Sequence, residues 1–180
     1  MNGTVYDEFK INDGRKVILR PAKWEDLDDF LEFINALVEE GAYIGKNRKV
    51  TREEEIDWLA HHLANVEKGR AISVVADVDG KAIGNSEVGK GMEGNNHVGF
   101  LGIAISRDYR GLGIDLRMME TLIRESKDAG LKLLVLDVAA RNDRANHLYR
   151  KVGFRDAGTI PKMMLIRDEY LDVTKMYLEL

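Results

Sequence analysis

The sequence predicts a mixed α/β (α+β) domain with a central sheet of about six to seven strands and about four helices. Three observations carry that prediction. The hydrophobic period alternates between a helical and a strand-like repeat along the chain. The resulting order of elements is β-α-α-β-β-β-α-β-α-β-β, with antiparallel hairpins and one parallel pairing in the middle. A glycine-rich turn, Arg110-Gly111-Leu112-Gly113-Ile114, separates a buried strand from a helix in that middle region.

The first apolar segment, Lys16-Val-Ile-Leu-Arg20, reads as a strand ended by Pro21. Leu27, Phe30, Leu31, Ile34, Leu37 and Val38 then recur at helical spacing. Thr51 with Glu54 forms a capping box that starts a second helix, whose inward face carries Ile56, Leu59, Leu63 and Val66. Ala71 to Val78 and Lys81 to Val88 are strands joined by Asp79-Gly80, a strong hairpin signal. His97 to Ile105 is a further strand. A helix from about Gly111 to Ala129 turns Leu116, Met119, Leu122 and Ile123 inward, and Gly130 caps it. Leu131 to Val138 is nearly continuous apolar sequence, which predicts a strand covered on both faces. A short helix follows over Asp143 to Val152. Ala157 to Leu180 reads as two strands around a turn at Arg167-Asp168-Glu169.

Residues 1–180 suit one domain of ordinary size, and 44% hydrophobic residues suffice for a sizeable core. A net charge of -4 argues against a general nucleic-acid binder, which carries a basic face. The absence of cysteine excludes disulfides, thiolate metal sites and a cysteine nucleophile. No apolar run approaches the ~20 residues needed to cross a bilayer. Asn2, Gly3 and Thr4 open the chain without an apolar leader, so a cytoplasmic protein with no membrane partner is expected.

The turn at Arg110 to Ile114 carries the chemistry. Where a strand runs through glycines into a helix, free backbone N–H groups and the helix dipole attract an anion such as a diphosphate. Gly111 and Gly113 permit a close approach, and Arg110 adds a full charge. On these residues alone, a plain tight turn fits as well as a phosphate cradle. Two nucleotide motifs are excluded. The chain has no Gly-x-x-x-x-Gly-Lys-Ser/Thr, and Leu116 stands where the dinucleotide fingerprint needs its third glycine.

The segment Leu101-Gly-Ile-Ala-Ile-Ser-Arg-Asp-Tyr-Arg-Gly-Leu-Gly-Ile-Asp115 resembles motif A of the GNAT superfamily of N-acetyltransferases, Arg/Gln-x-x-Gly-x-Gly/Ala after a strand. Leu136-Asp-Val-Ala-Ala-Arg-Asn142, with Ala145, Leu148-Tyr149 and Gly153-Phe154, resembles motif B of the same family. The order of elements around them matches nearly throughout.

The resemblance implies a GNAT fold with a splayed parallel strand pair and acetyl-CoA as cosubstrate, without a metal. The backbone of Ile103, Ala104 and Ile105 would pair with the pantetheine arm, and a backbone N–H there would polarise the thioester carbonyl. Arg110, Gly111, Leu112, Gly113, Ile114 and Asp115 would hold the diphosphate. Asn142 would hydrogen-bond the cofactor arm. Tyr149 would stand near the sulfur and protonate the leaving thiolate. The acceptor would be a primary amine: a small amine, an amino acid or a peptide N-terminus.

The chain departs from the family at two places. Asp115 occupies a position that the family gives to glycine or alanine. A carboxylate ~5 Å from a diphosphate, at an effective dielectric of ~20, would repel it by roughly 3 kcal/mol. That repulsion falls if the side chain turns to solvent, and an aspartate in the first helical turn favours the helix. The strand glutamate that serves many relatives as general base is absent, with Gly99 standing about where it would fall. Asp137 matches the position of an acidic base in some relatives, Glu87 on the preceding strand is an alternative, and a water chain suffices for an amine of pKa about 8.

The remaining candidates read more plainly. His61 and His62 face apart on a helix, and His97 and His147 are isolated, so none suggests a metal pair. Glu25, Asp26, Asp28 and Asp29 read as a solvated helix start. Arg144 and Lys151 are exposed charges within reach of a cofactor 3′-phosphate. Glu39, Glu40, Asp168 and Glu169 would give a cationic acceptor an acidic groove. The competing function is a non-catalytic acyl-CoA-binding or regulatory module, motivated by Asp115 and the missing glutamate. The final strands suggest a homodimer.

Overall fold

A computed structural model describes residues 4–180. In chain order the elements are β1 (Asp7–Lys10), β2 (Lys16–Arg20), α1 (Leu27–Glu40), α2 (Arg52–Glu67), β3 (Ala71–Val78), β4 (Lys81–Lys90), β5 (Val98–Ile105), α3 (Ile114–Asp128), β6 (Leu133–Ala139), α4 (Asp143–Lys151), β7 (Arg155–Ile166) and β8 (Glu169–Glu179). The strands form one eight-stranded sheet in the order β1-β2-β3-β4-β5-β6-β8-β7. Only β5 and β6 are parallel neighbours.

The sheet has one strand more than the sequence predicts. The extra strand, β1, reads Asp-Glu-Phe-Lys and shows no apolar run. It forms because all four of its residues pair with β2, and because Phe9 packs against the main core. The other elements match the predicted ones closely. Thr51 and Glu54 make both hydrogen bonds of the capping box. Asp79 and Gly80 adopt φ of 54° and 86°, as a two-residue type I′ hairpin requires.

Adjacent residues of β3 point to opposite faces and so separate two helical layers. Val74 packs in one cluster with Met118, Met119 and Leu122 of α3 and Tyr149 of α4. Val75 packs in the other with Phe30 of α1 and Leu59 of α2. On β6, Leu134, Leu136 and Val138 are buried towards the α3–α4 layer. The sequence predicts β6 covered on both faces; its other face is open at Asp137, which is exposed.

The acidic cluster before α1 is not wholly solvated. Asp26 is buried and takes two hydrogen bonds from Arg20, of 2.9 and 2.7 Å. Arg20 also donates to Asp77 of β3 at 2.9 Å. Asp29 accepts from the Ala82 amide at 2.8 Å and ties α1 to β4. Glu25 and Asp28 remain exposed.

The parallel ladder is short. Val98, Gly99 and Phe100 pair with Leu133, Leu134 and Val135, and then β5 and β6 part. Beyond that point β5 holds only to β4 and β6 only to β8. Gly99 sits at the closed end. A Cβ there would come within 3.0 Å of side-chain atoms of Val88, Leu134 and Leu131. Its missing side chain lets the strands meet. The position faces the α3 layer, so a glutamate could not stand there.

The Arg20 junction gives the first prediction. Asp26→Ala leaves a buried guanidinium with a single carboxylate, and should lower unfolding stability by about 3 kcal/mol in urea titrations.

Candidate active site

Where β5 and β6 separate, a cleft of about 910 Å³ passes through the sheet and meets both helical layers. Its α3–α4 side holds Arg110 and Asp115, the two ends of the glycine turn, together with Arg107, Asn142, Arg144 and Tyr149. Its α1–α2 side holds Phe30, Phe33, Trp58, Glu55, Asn85 and Glu87. The structure therefore gathers most of the residues that the sequence singles out, together with several that it does not.

The turn is built to receive an anion. Gly111 and Gly113 have φ of 79° and 80°, which side chains rarely adopt, and nothing lies within 4 Å of where their Cβ atoms would be. Gly113 precedes α3 without any side-chain cap. Among the described residues, the N–H groups of Gly111 to Asp115 make no hydrogen bond within the chain. Ile114 is fully buried in the core, so it offers only its backbone.

The two charged residues of the turn are already engaged. The Nε of Arg110 donates to the Ile105 carbonyl at 3.0 Å, and its guanidinium pairs with Glu40 of α1. Asp115 does not turn to solvent. Its carboxylate accepts from the Leu116 amide at 3.0 Å and from Arg144 of α4 at 2.9 Å. Arg144 thus offsets the charge that departs from the family pattern, and the carboxylate supports the helix start.

Asn142 caps α4, with its Oδ1 accepting from the Ala145 amide at 3.3 Å. Its amide group is left to the cleft that it lines. Tyr149 is buried against Phe154, ring centroids 6.1 Å apart. Burial, with a further contribution from the Asp115 charge, pushes its phenol up to about 12. The group is therefore a held proton at any physiological pH. Along β5, Ile103, Ala104 and Ile105 pair with β4 on one edge and face the opening on the other.

The α1–α2 side has a bare floor. Gly102 and Ala104 lie opposite Glu87 and Asn85, and a Cβ at Gly102 would meet nothing within 4 Å. A Glu87 carboxylate oxygen lies 2.8 Å from His62 Nδ1. His62 is buried, and its ring stacks on Trp58 at 5.0 Å with an interplanar angle of 12°. His61 is exposed, so the two histidines do face apart. Asp137 lies directly across from Lys175 on β8 and is bound to it at 2.8 and 3.1 Å.

The acidic groove expected of Glu39, Glu40, Asp168 and Glu169 is not assembled. Glu39 pairs with Lys49, Glu40 with Arg110 and Glu169 with Arg141, and Asp168 is in the exposed β7–β8 turn. The buried acidic residue of the cleft is Glu55, at 6% exposure. In the sequence Glu55 is inconspicuous, because Arg52-Glu-Glu-Glu looks like an ordinary helix start. The available signal is its phase, four residues before the fully buried Leu59. Among the described residues, no group of side chains suits a metal ion, and no helix is long and apolar enough to cross a membrane.

Comparison with known proteins bears on the family and the fold. Residues 24–154 match the profile of the "Acetyltransferase (GNAT) family". The L-methionine sulfoximine/L-methionine sulfone acetyltransferase of Pseudomonas paraeruginosa is 26% identical, over 90% of this chain and 94% of that protein. The L-amino acid N-acyltransferase MnaT of Escherichia coli is 24% identical, over 90% of this chain and 93% of its own. Among solved structures, yncA of Salmonella typhimurium, determined with its cofactor acetyl-CoA, shares the fold with a TM-score of 0.80. It is 21% identical and covers 91% of this chain and 93% of that one.

Burial of Tyr149 has a measurable consequence. The folded phenol keeps its proton to about 12, whereas an unfolded tyrosine loses it near the ordinary value of 10.0. The contribution is complete below the unfolded value and is lost as pH rises through the folded one, by up to about 2.7 kcal/mol. Urea midpoints between pH 8 and 11.5 should fall more steeply for the wild type than for Tyr149→Phe. Parallel curves would contradict this assignment.

Proposed function

This chain belongs to the acetyltransferase (GNAT) family, an enzyme family, and from that premise we propose that it moves the acetyl group of acetyl-CoA to a primary amine by direct attack. The observation that carries the proposal is the run of free N–H groups from Gly111 to Asp115, a turn whose end residues Arg110 and Asp115 line the same cleft as Tyr149. The relatives' substrates, amino acids and their analogues, support an amine of small size. Membership of an enzyme family sets aside the non-catalytic module.

Acetyl-CoA supplies the acyl group as a thioester when bound. The residues divide the remaining work. The backbone from Gly111 to Asp115 would hold the diphosphate, with Arg144 beside it. The unpaired edge of Ile103 to Ile105 would align the arm as an added strand, and the free amide of Asn142 would bond it. Tyr149 holds a proton at its phenol oxygen, available to a departing thiolate. Arg110, fastened to Glu40, braces the turn and leaves direct anion contact to the backbone.

The geometry favours Glu87 over Asp137 as the group that takes the amine's proton. Asp137 is engaged by Lys175, whereas Glu87 stands over the bare floor at Gly102 with only one oxygen held by His62. One domain spanning residues 1–180 and a dimer through β7 and β8, where Ile160, Met163 and Tyr170 are exposed, complete the proposal.

Thiol release from acetyl-CoA, followed over a panel of primary amines, tests the activity. Tyr149→Phe should lower kcat by about 10²-fold or more. Asp137→Asn should leave the pH–rate profile in place, and Glu87→Gln should remove its acidic limb. The opposite pattern would assign the base to Asp137.

Cofactor affinity is separately readable. Asp115→Gly should tighten acetyl-CoA binding several-fold in calorimetry, since it removes a carboxylate and releases Arg144. Arg144→Ala should weaken it by leaving Asp115 uncompensated, and adding Asp115→Gly to that variant should return the affinity towards that of the wild type.

A further inference from the structure

The carboxylates that line the cleft are almost all answered within the chain. Glu40 meets Arg110, Asp115 meets Arg144, Asp137 meets Lys175, and Glu54 meets Arg48. Glu87 holds His62. Among the carboxylates of the cleft Glu55 is the exception, while the cations Lys46 and Arg107 also line it without a side-chain partner among the described residues. Glu55 is 6% exposed, lines the α1–α2 side of the cleft, and makes no salt bridge or side-chain hydrogen bond among the described residues. The side chain is packed, but its carboxylate oxygens are not enclosed, so they stay open to a cationic group that enters the cleft.

The surroundings describe that partner. Trp58 is one turn along α2 from Glu55, and Phe30, Phe33 and Ile34 of α1 line the same side. The floor opposite is Gly102 and Ala104, which leaves room for a side group. Lys46, on the exposed segment between α1 and α2, is the cation that acts on Glu55. Burial also raises the pKa of Glu55, against the opposing effect of Lys46, as expected of a carboxylate short of cations.

We propose that Glu55 selects the acceptor by receiving the positive charge of an amine with an apolar or aromatic body, so that amines without a carboxylate beside the nitrogen are preferred to amino acids. The aromatic wall would hold the body, and Glu55 would be a binding residue distinct from the proton-accepting Glu87. Relatives that act on amino acids would differ from this chain in acceptor charge. This inference rests on the acetyltransferase reading given above.

The test uses the full chain with 2-phenylethylamine, L-phenylalanine amide and L-phenylalanine. The wild type should show kcat/KM for the amine and the amide about tenfold or more above that for L-phenylalanine. Glu55→Gln should raise KM for 2-phenylethylamine about tenfold with little change in kcat, bring the three acceptors within about twofold, and leave KM for acetyl-CoA unmoved. Its melting temperature should equal or exceed that of the wild type, since no internal partner is lost. A wild type that prefers L-phenylalanine, or a variant with an unchanged preference, would overturn the proposal. If no amine releases thiol, the acetyltransferase reading fails. Calorimetry of 2-phenylethylamine with the CoA-saturated wild type and Glu55→Gln then decides the role of Glu55 alone. Tenfold weaker binding to the variant supports it, and equal binding or none to either protein refutes it.

Discussion

β5 and β6 share three residue pairs and then diverge, and almost everything else in the molecule follows from that divergence. Strands in a sheet normally satisfy both edges. Here the inner edges of two central strands are released over half their length, while their outer edges remain tied to β4 and β8. The opening joins the two helical layers that the sheet otherwise keeps apart. It allows a backbone turn on one face and an aromatic wall on the other to border one cavity.

The charges within that cavity show a second regularity. The two ionic side chains that flank the glycines are each neutralised by a residue distant in sequence, Arg110 by Glu40 and Asp115 by Arg144. The turn is left to attract anions mainly through backbone dipoles, which are fixed in place and carry no side-chain entropy to lose. Asp115, an incompatible charge when read in isolation, becomes half of a pair and the support of a helix end.

What was legible in the sequence was local. The Thr51–Glu54 box, the Asp79-Gly80 hairpin and the glycines at 111 and 113 act over a few residues, and the structure contains each of them. The parallel strand pair around the turn is legible in the order of elements and in the two linked motifs. Pairings across long separations were not legible. Nothing near Arg110 points to Glu40, and nothing near Asp26 shows that it is buried beneath Arg20. β1 was missed because its stability comes from a ladder and one phenylalanine, not from its composition. Glu55 was missed because burial of a first-turn glutamate depends on where α2 sits over the sheet.

Gly99 touches no reacting group, yet it lies where the two central strands close. The angle between those strands, and so the aperture above them, is inherited from an atom that this residue lacks. Any larger residue would act as a wedge at a pivot, displacing Val88 and Leu134 at one end and altering the spacing of the cleft walls at the other. Mutational tolerance in this protein is thus not graded by distance from the chemistry. A core position can govern turnover through geometry alone, with every catalytic side chain unchanged.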